Sequence, residues 1–589
     1  MAGRPGIHYR VEAADLHAHL WRVTLTIDQP SAQQVVSLPA WIPGSYLLRE
    51  FARNLQRLAA GQGGKSVNAQ QLDKATWQVE CVAGRPLVLT YEVYAFENTV
   101  RTSWLDANRG FFNGTSLCLR VHGQEASPHA IELMPVASKT NWEAATGLTA
   151  AKVNKRGFGT YVAADYDELV DCPVEMGAFW SADFKAGGVP HRIVVAGAAD
   201  SFDSKRFTDD VQKICEAEIR FWHGAKGTAR NFKRPPHKSY VLMLNCVDEG
   251  YGGLEHRNST ALIASRRDLP RIGESRQSDG YITLLGLVSH EYFHTWNVKH
   301  LRPAEFVSYD YTQENYTQLL WFFEGFTSYY DDLLLRRAGL IDDAAYFKLL
   351  NKTINQVMQA PGRELQAVSQ ASFDAWVKYY RPDENTPNAT ISYYTKGALV
   401  ALCFDLTLRS EGRTTLDDVM RALWVRCKAG PMSEADFAAV LNELSGRSFT
   451  REIAAWVHGT KELPIDDLLK PFGINVMQDP SQLQQRLGVR VTEASGIQVK
   501  NVLRGGASEE AGIASGDELV GVEVAGGAWR LNKLDDLLLY AGSQKKMKLL
   551  VSRDRRLMRL DFNLPTSSIT WRLVVRDAAL VQPWLAPQS

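Results

Sequence analysis

Residues 281–303 read YITLLGLVSHEYFHTWNVKHLRP, and the chemistry of the chain is concentrated in the middle of that stretch. An apolar run, residues 281–289, leads into His290-Glu291-Tyr292-Phe293-His294, and Pro303 closes the segment. Positions i and i+4 share one face of a helix. The spacing therefore predicts that the imidazoles of His290 and His294 reach one metal ion while Glu291, one position round, faces water beside it. A pair of solvated helix histidines beside a surface glutamate would need polar surroundings. The run before the motif is apolar, which predicts a buried helix, and buried histidines require partners.

Two histidines leave a hydrolytic zinc ion one protein ligand short, so a third is expected from a second helix. The segment WFFEGFTSYY, residues 321–330, places Glu324 alone among apolar and aromatic residues, where an unpaired carboxylate is costly. Binding of one Zn2+ per chain by His290, His294 and Glu324 explains that placement better than a salt-bridged core glutamate. The ligand set alone does not separate zinc from cobalt or manganese, although zinc is its usual occupant. Asp331, two turns beyond Glu324, lies on nearly the same face. It either accepts the second ring N–H of a liganding histidine or faces solvent beside Asp332.

The chain has 589 residues, which predicts several domains. Lys plus Arg and Asp plus Glu both number 66, so no global field gathers nucleic acid or an anionic membrane. The seven cysteines include no C-x-x-C pair and read as reduced core residues. Neither a signal peptide nor a stretch near the ~18 apolar residues of a membrane span is visible, which leads to the expectation of a cytoplasmic protein without membrane insertion, unless a leader has been removed.

The expected architecture is a multidomain α+β chain. Residues 1–177 carry short alternating runs such as WRVTLTI (21–27) and PLVLTYEVY (86–94), the pattern of a β-sandwich-like domain. Residues 178–478 begin with strands alternating with helices and turn helical after Gly280, consistent with a thermolysin-like mixed and helical catalytic domain. Residues 482–589 differ again. The string GIQVKNVLRGGASEEAGIASGDELVGVEV, residues 496–524, looks like a PDZ domain, with residues 533–540 as the helix that flanks its peptide groove. Asp479-Pro480 suits the boundary before it.

HEYFHTWNVKHLRP (290–303), GGLEH (252–256), WFFEGFTSYY (321–330) and PAWIPGSYLLREFARN (39–54) together resemble the M61 family of glycyl aminopeptidases over nearly the whole chain. The site is more distantly similar to that of M1 aminopeptidases. The 29 residues between His294 and Glu324 and the His256 after Glu255 depart from the M1 pattern but not from M61.

The resemblance implies a zinc aminopeptidase that removes small N-terminal residues, glycine or alanine, with Glu291 as general base and then general acid. SYYTKG (392–397) resembles the M1 string that supplies an oxyanion-binding tyrosine. By that match the donor is Tyr394, with Tyr393 as the alternative. Recognition of a free α-ammonium calls for a carboxylate, which the resemblance places at Glu255, with Glu249 a nearby alternative. Gly252 and Gly253 would let the peptide backbone approach. Asn113, in GFFNGT (110–115), stands about where M1 enzymes lend a residue to the amine pocket, or else caps a plain hairpin. Peptides are the expected substrates, and a C-terminal peptide is a possible ligand of the PDZ-like part. Two other readings stay open: an endopeptidase that holds substrate C-termini on the PDZ-like part, and a non-catalytic scaffold. The second is weakened because every expected catalytic residue type is present.

Overall fold

The computed structural model describes residues 5–224, 234–566 and 569–586. Its N-terminal part is built of β-strands whose burial alternates with period two. In Leu20–Ile27, Trp21, Val23, Leu25 and Ile27 point inward. That strand lies within an eight-stranded sheet, antiparallel to Ile7–Asp15, with Ile7 opposite Ile27. Two four-stranded sheets complete the domain. Side chains of all three, among them Trp21, Val36, Val79, Phe111 and Met176, form one core.

The next sheet is mixed and has five strands. Val189–Ala196, Tyr240–Val247 and Ser259–Ser265 run parallel, and Tyr251–Glu255 turns back antiparallel on Ser259–Ser265 to form one edge. The helices Ser204–His223 and Asp279–Phe293 pack together against this sheet, and a helical region follows through Thr450–Trp456. A single large core joins sheet and helices, and Trp41 and Tyr46 of the N-terminal part reach into it.

The chain then leaves and returns. Ile474–Pro480 pairs antiparallel with Ile569–Val575, with Pro480 opposite Ile569. Between these strands a separate six-stranded sheet with the short helices Ala507–Glu510 and Asp536–Ala541 encloses its own core, from Leu483 to Leu564. After Ile569–Val575 the helix Ala578–Leu585 buries Val581, Trp584 and Leu585 in the core shared by the mixed sheet and the helices. Among the described residues no helix is long and apolar enough to cross a membrane, and all seven cysteines are free thiols.

Candidate metal centre and active site

The motif helix, Asp279–Phe293, starts where Ser278 accepts a hydrogen bond from the Tyr281 amide at 3.0 Å. Leu284, Leu285, Leu287 and Val288 are all buried, so the helix is apolar nearly all round and runs through the core. His290 lies in its last turn and His294 is its C-cap, still in right-handed backbone at φ −60° and ψ −19°, which preserves the i, i+4 relation.

The two rings meet as the spacing predicts. His290 Nε2 and His294 Nε2 are 3.1 Å apart. Glu324 Oε2 lies 3.5 Å from the first and 3.2 Å from the second. The far side of each ring is engaged: Asp331 Oδ2 is 3.0 Å from His290 Nδ1, and His294 Nδ1 donates to the Asn297 carbonyl at 2.8 Å. A carbonyl can only accept, so the His294 proton sits on Nδ1 and its Nε2 lone pair faces inward. Asp331 orients His290 in the same sense. Two acceptor nitrogens and a carboxylate oxygen thus converge on one point. Burial opposes charge on the rings, yet Asp331 and Glu324 hold His290 well above its ordinary value. Likewise, against its burial, His294 and His290 hold Glu324 down at about 2. The cluster calls for positive charge at its centre.

Glu324 stands at the break between the helices Leu320–Phe323 and Gly325–Arg337. A Cβ on Gly325 would lie 2.5 Å from Gly397 Cα, and one on Gly397 would lie 2.7 Å from the Trp321 carbonyl oxygen. The Thr395–Glu411 helix therefore crosses the Glu324 junction backbone against backbone. That crossing brings Tyr394 beside the histidines, with its ring centre 6.1 Å from that of His290. Tyr393 stacks on Tyr394 at 4.7 Å, but it is fully buried and its hydroxyl has no hydrogen-bond partner among the described residues. Tyr394 keeps partial exposure.

Glu291 is buried, and its Oε2 has no hydrogen-bond partner among the described residues. Burial pushes its carboxyl up to about 7, against the pull of His290 and His294. Its neighbour is Gly253, whose Cβ would fall 2.1 Å from Glu291 Oε1. The missing side chain at 253 thus makes room for Glu291 itself, whereas a Cβ at Gly252 would meet nothing closer than Arg101 Nη1 at 3.7 Å.

Glu255, 4% exposed, ends the same edge strand, while Glu249 faces solvent. The turn around Gly44 wraps Glu255: Gly44 has φ +89°, and a Cβ there would sit 2.5 Å from Glu255 Oε1. Tyr46 follows, its phenol pushed well above the ordinary value by burial and by the charges of Glu324 and Glu255. Asn113 is fully buried inside the N-terminal domain, where its Nδ2 donates to the carbonyls of Val100 at 2.9 Å and Thr102 at 3.3 Å. The residue between them, Arg101, does reach the site: its Nη2 donates to the Gly253 carbonyl at 3.2 Å.

Sequence reasoning missed Asn297, Gly44, Tyr46 and Arg101. The string at 39–54 carried the signal for Gly44 and Tyr46, but nothing in it names the edge strand Tyr251–Glu255 as the neighbour. Asn297 acts through its carbonyl, which any residue offers, and Val298 next to it adopts φ 137°, a strained conformation for a β-branched residue.

Profiles of two families match the chain: the peptidase M61 N-terminal domain over residues 8–178 and the M61 glycyl aminopeptidase over residues 283–400. The crystal structure of an aminopeptidase N family protein from Idiomarina loihiensis is 35% identical, covers 99% of this chain and 100% of its own, and superposes with a TM-score of 0.92. An M1 zinc metallopeptidase from Deinococcus radiodurans is 16% identical, with 79% of this chain and 97% of its own covered at a TM-score of 0.45. No curated protein matches the chain. With both domain profiles in order and a relative of that identity along its whole length, the chain belongs to the M61 family and is a peptidase.

Proposed function

We propose that the chain is a zinc-dependent aminopeptidase that hydrolyses the first peptide bond of peptides with a small N-terminal residue. The observation that carries this reading is the convergence of three acceptor atoms, His290 Nε2, His294 Nε2 and Glu324 Oε2, within 4.8 Å of one another. Ligands of a tetrahedral zinc at about 2.0–2.2 Å stand about 3.3–3.6 Å from one another. The separations of 3.1, 3.2 and 3.5 Å suit that ion without rearrangement of the backbone. The residues fit zinc, with Asp331 and the Asn297 carbonyl fixing the two rings. Zinc held there would supply a Lewis acid that acidifies water and polarises the scissile carbonyl.

The protein's own groups do the rest. Glu291 takes a proton from the attacking water and passes it to the departing amine nitrogen, and its burial keeps its basicity near neutrality. The Tyr394 hydroxyl donates to the oxygen that gains charge. Glu255 accepts from the substrate's α-ammonium at the end of the edge strand, along which the peptide adds antiparallel past Gly252. Gly253 serves the packing of Glu291, and Asn113 shapes the loop that carries Arg101.

We read the chain as units 1–177, 178–478 and 482–589, the last comprising a PDZ-like sheet and a tail that rejoins the catalytic core. The PDZ reading is supported by the six-stranded sheet with its two short helices, the second of which, Asp536–Ala541, packs on Glu518–Val524 and carries Leu539, 71% exposed. A PDZ-like fold there would suit the second reading, an endopeptidase that holds substrate C-termini.

One comparison separates the two. Gly- and Ala-anilides and their N-acetylated forms are assayed before chelation, after it, and after zinc is restored. Turnover that vanishes on acetylation and on chelation, and returns with zinc, supports the aminopeptidase. Equal cleavage of acetylated substrates overturns it. In the same assay Glu291→Gln is expected to keep its zinc and lose turnover.

A further inference from the structure

Arg49 and Arg101 both belong to the N-terminal domain; Arg101 reaches the edge strand Tyr251–Glu255, and Arg49 lies within the electrostatic field of Arg101. Arg101 lies across Gly252 and Gly253: its Nη2 donates to the Gly253 carbonyl at 3.2 Å, and its Nη1 is 3.7 Å from where a Gly252 Cβ would be. Arg49 belongs to the turn that wraps Glu255, where its Nη2 donates to Ser45 Oγ at 2.8 Å. Among the described residues neither guanidinium has a carboxylate within ion-pair distance. The nearby carboxylate, Glu97, pairs with Arg53 at 3.2 Å. The Nε of each is buried without a hydrogen-bond partner among those residues.

A half-buried arginine ordinarily finds a carboxylate, because an uncompensated charge away from water is costly. Here two stand together. Burial, and then the like charge of Arg101, pushes Arg49 down to about 10. An aromatic wall lies next to the pair: Tyr46 meets Tyr380 edge-on at 5.9 Å, and Tyr380 stands within the field of Arg101. Structural docking of the two domains would need only the one Arg101 contact to Gly253. It does not account for a second unpaired cation at the same place.

We propose that Arg49 and Arg101 form an anion subsite that binds a carboxylate of the peptide substrate. The planar five-donor fork of arginine suits a carboxylate, and the two forks can share its two oxygens. Such a carboxylate has two sources: the side chain of an acidic first residue, or the free C-terminus of a di- or tripeptide whose main chain lies along Gly252. The inference rests on the edge-strand substrate path described above.

The test is a set of matched substrate pairs on the zinc-loaded full chain. Asp-anilide is compared with Asn-anilide, and Ala-Gly and Ala-Gly-Gly with their C-terminal amides. The readout is the ratio of kcat/KM within each pair. The subsite requires a ratio of at least about ten in favour of the carboxylate in one series, and the series identifies the source. In Arg101→Gln and Arg49→Gln that ratio is expected to fall toward one, with Arg→Lys variants intermediate because lysine keeps the charge but loses the fork. Wild-type ratios near one in both series overturn the proposal even if no variant folds, and so do ratios that both glutamine variants leave intact. Failure of the aminopeptidase reading looks different, since Ala-anilide itself would then not be cleaved.

Discussion

Glu291 is held in a space that exists because residue 253 has no side chain. A Cβ at Gly253 would lie 2.1 Å from its carboxylate, so Gly253→Ala must displace the base or the edge strand. The expected outcome is full zinc content with kcat lowered by about 10²-fold or more, the usual worth of a positioned acid–base group, read by metal analysis beside the anilide assay. An alanine variant of undiminished kcat would show that Glu291 need not sit there. Asp331→Asn removes the carboxylate 3.0 Å from His290 Nδ1 and is expected to weaken zinc binding by about 10–100-fold in chelator competition. An unchanged affinity would make that contact incidental. At this scale the sequence was informative wherever chemistry is compressed into a short window. His290, Glu291 and His294 lie within one turn, and Glu324 is conspicuous as a lone carboxylate among aromatics. Gly253 was legible only as a glycine, because its partner is brought to it by the sheet and not by the chain.

Between elements, the decisive contact is the crossing of the Gly325–Arg337 and Thr395–Glu411 helices at Gly325 and Gly397. Both residues follow candidate site residues, Glu324 and the pair Tyr393-Tyr394, so the same two glycines set the separation between the proposed ligand and the proposed oxyanion donor. Gly397→Ala puts a methyl 2.7 Å from the Trp321 carbonyl oxygen, and backbone has to move. That variant is expected to melt earlier, by the 1–3 kcal/mol or so of an overpacked core, and to lose kcat, because Tyr394 and Glu324 shift relative to each other. A variant with unaltered melting and kcat would mean that the crossing has slack. The strands of the N-terminal domain and the motif helix were readable from periodicity, because each buries one face or all faces. Which strand forms the edge of the mixed sheet was not readable, since pairing order depends on partners far along the chain.

Across the whole molecule, two junctions govern how the parts act together. The first is Asp171 of the N-terminal domain, which takes Lys299 Nζ at 2.7 Å and His256 Nδ1 at 3.2 Å, directly beside Glu255 and the metal motif. Burial opposes its ionisation, but Lys299, His256 and Arg257 hold it well below the usual carboxylate range. A depressed carboxyl contributes stability above its unfolded value, about 4, and that contribution is lost as pH falls through the folded value. Acid melting is therefore expected to be steeper below pH ~4 for the wild type than for Asp171→Asn, which is destabilised at neutrality. The second junction is the returning tail. Trp584 is fully buried, its indole N–H donates to Tyr329 Oη at 2.9 Å, and its carbonyl accepts from Arg337 at 3.2 Å. Truncation after Gln482 discards it, at a cost on the scale of the 3–5 kcal/mol for a deleted core tryptophan, and so cannot report on the six-stranded sheet alone. Because Pro480 pairs with Ile569, residues 482–566 can instead be replaced by a short hairpin loop that keeps both strands and the tail. The excised sheet docks through Asn388, which donates to the Val502 carbonyl at 2.8 Å and accepts from the Arg504 amide at 2.9 Å, in the segment that leads to Tyr394. The excision variant is accordingly expected to fold and hold zinc but to lose kcat more than KM, and Asn388→Ala to move in the same direction by less. An excised enzyme with full kcat would reduce the sheet to an accessory that braces nothing in the site.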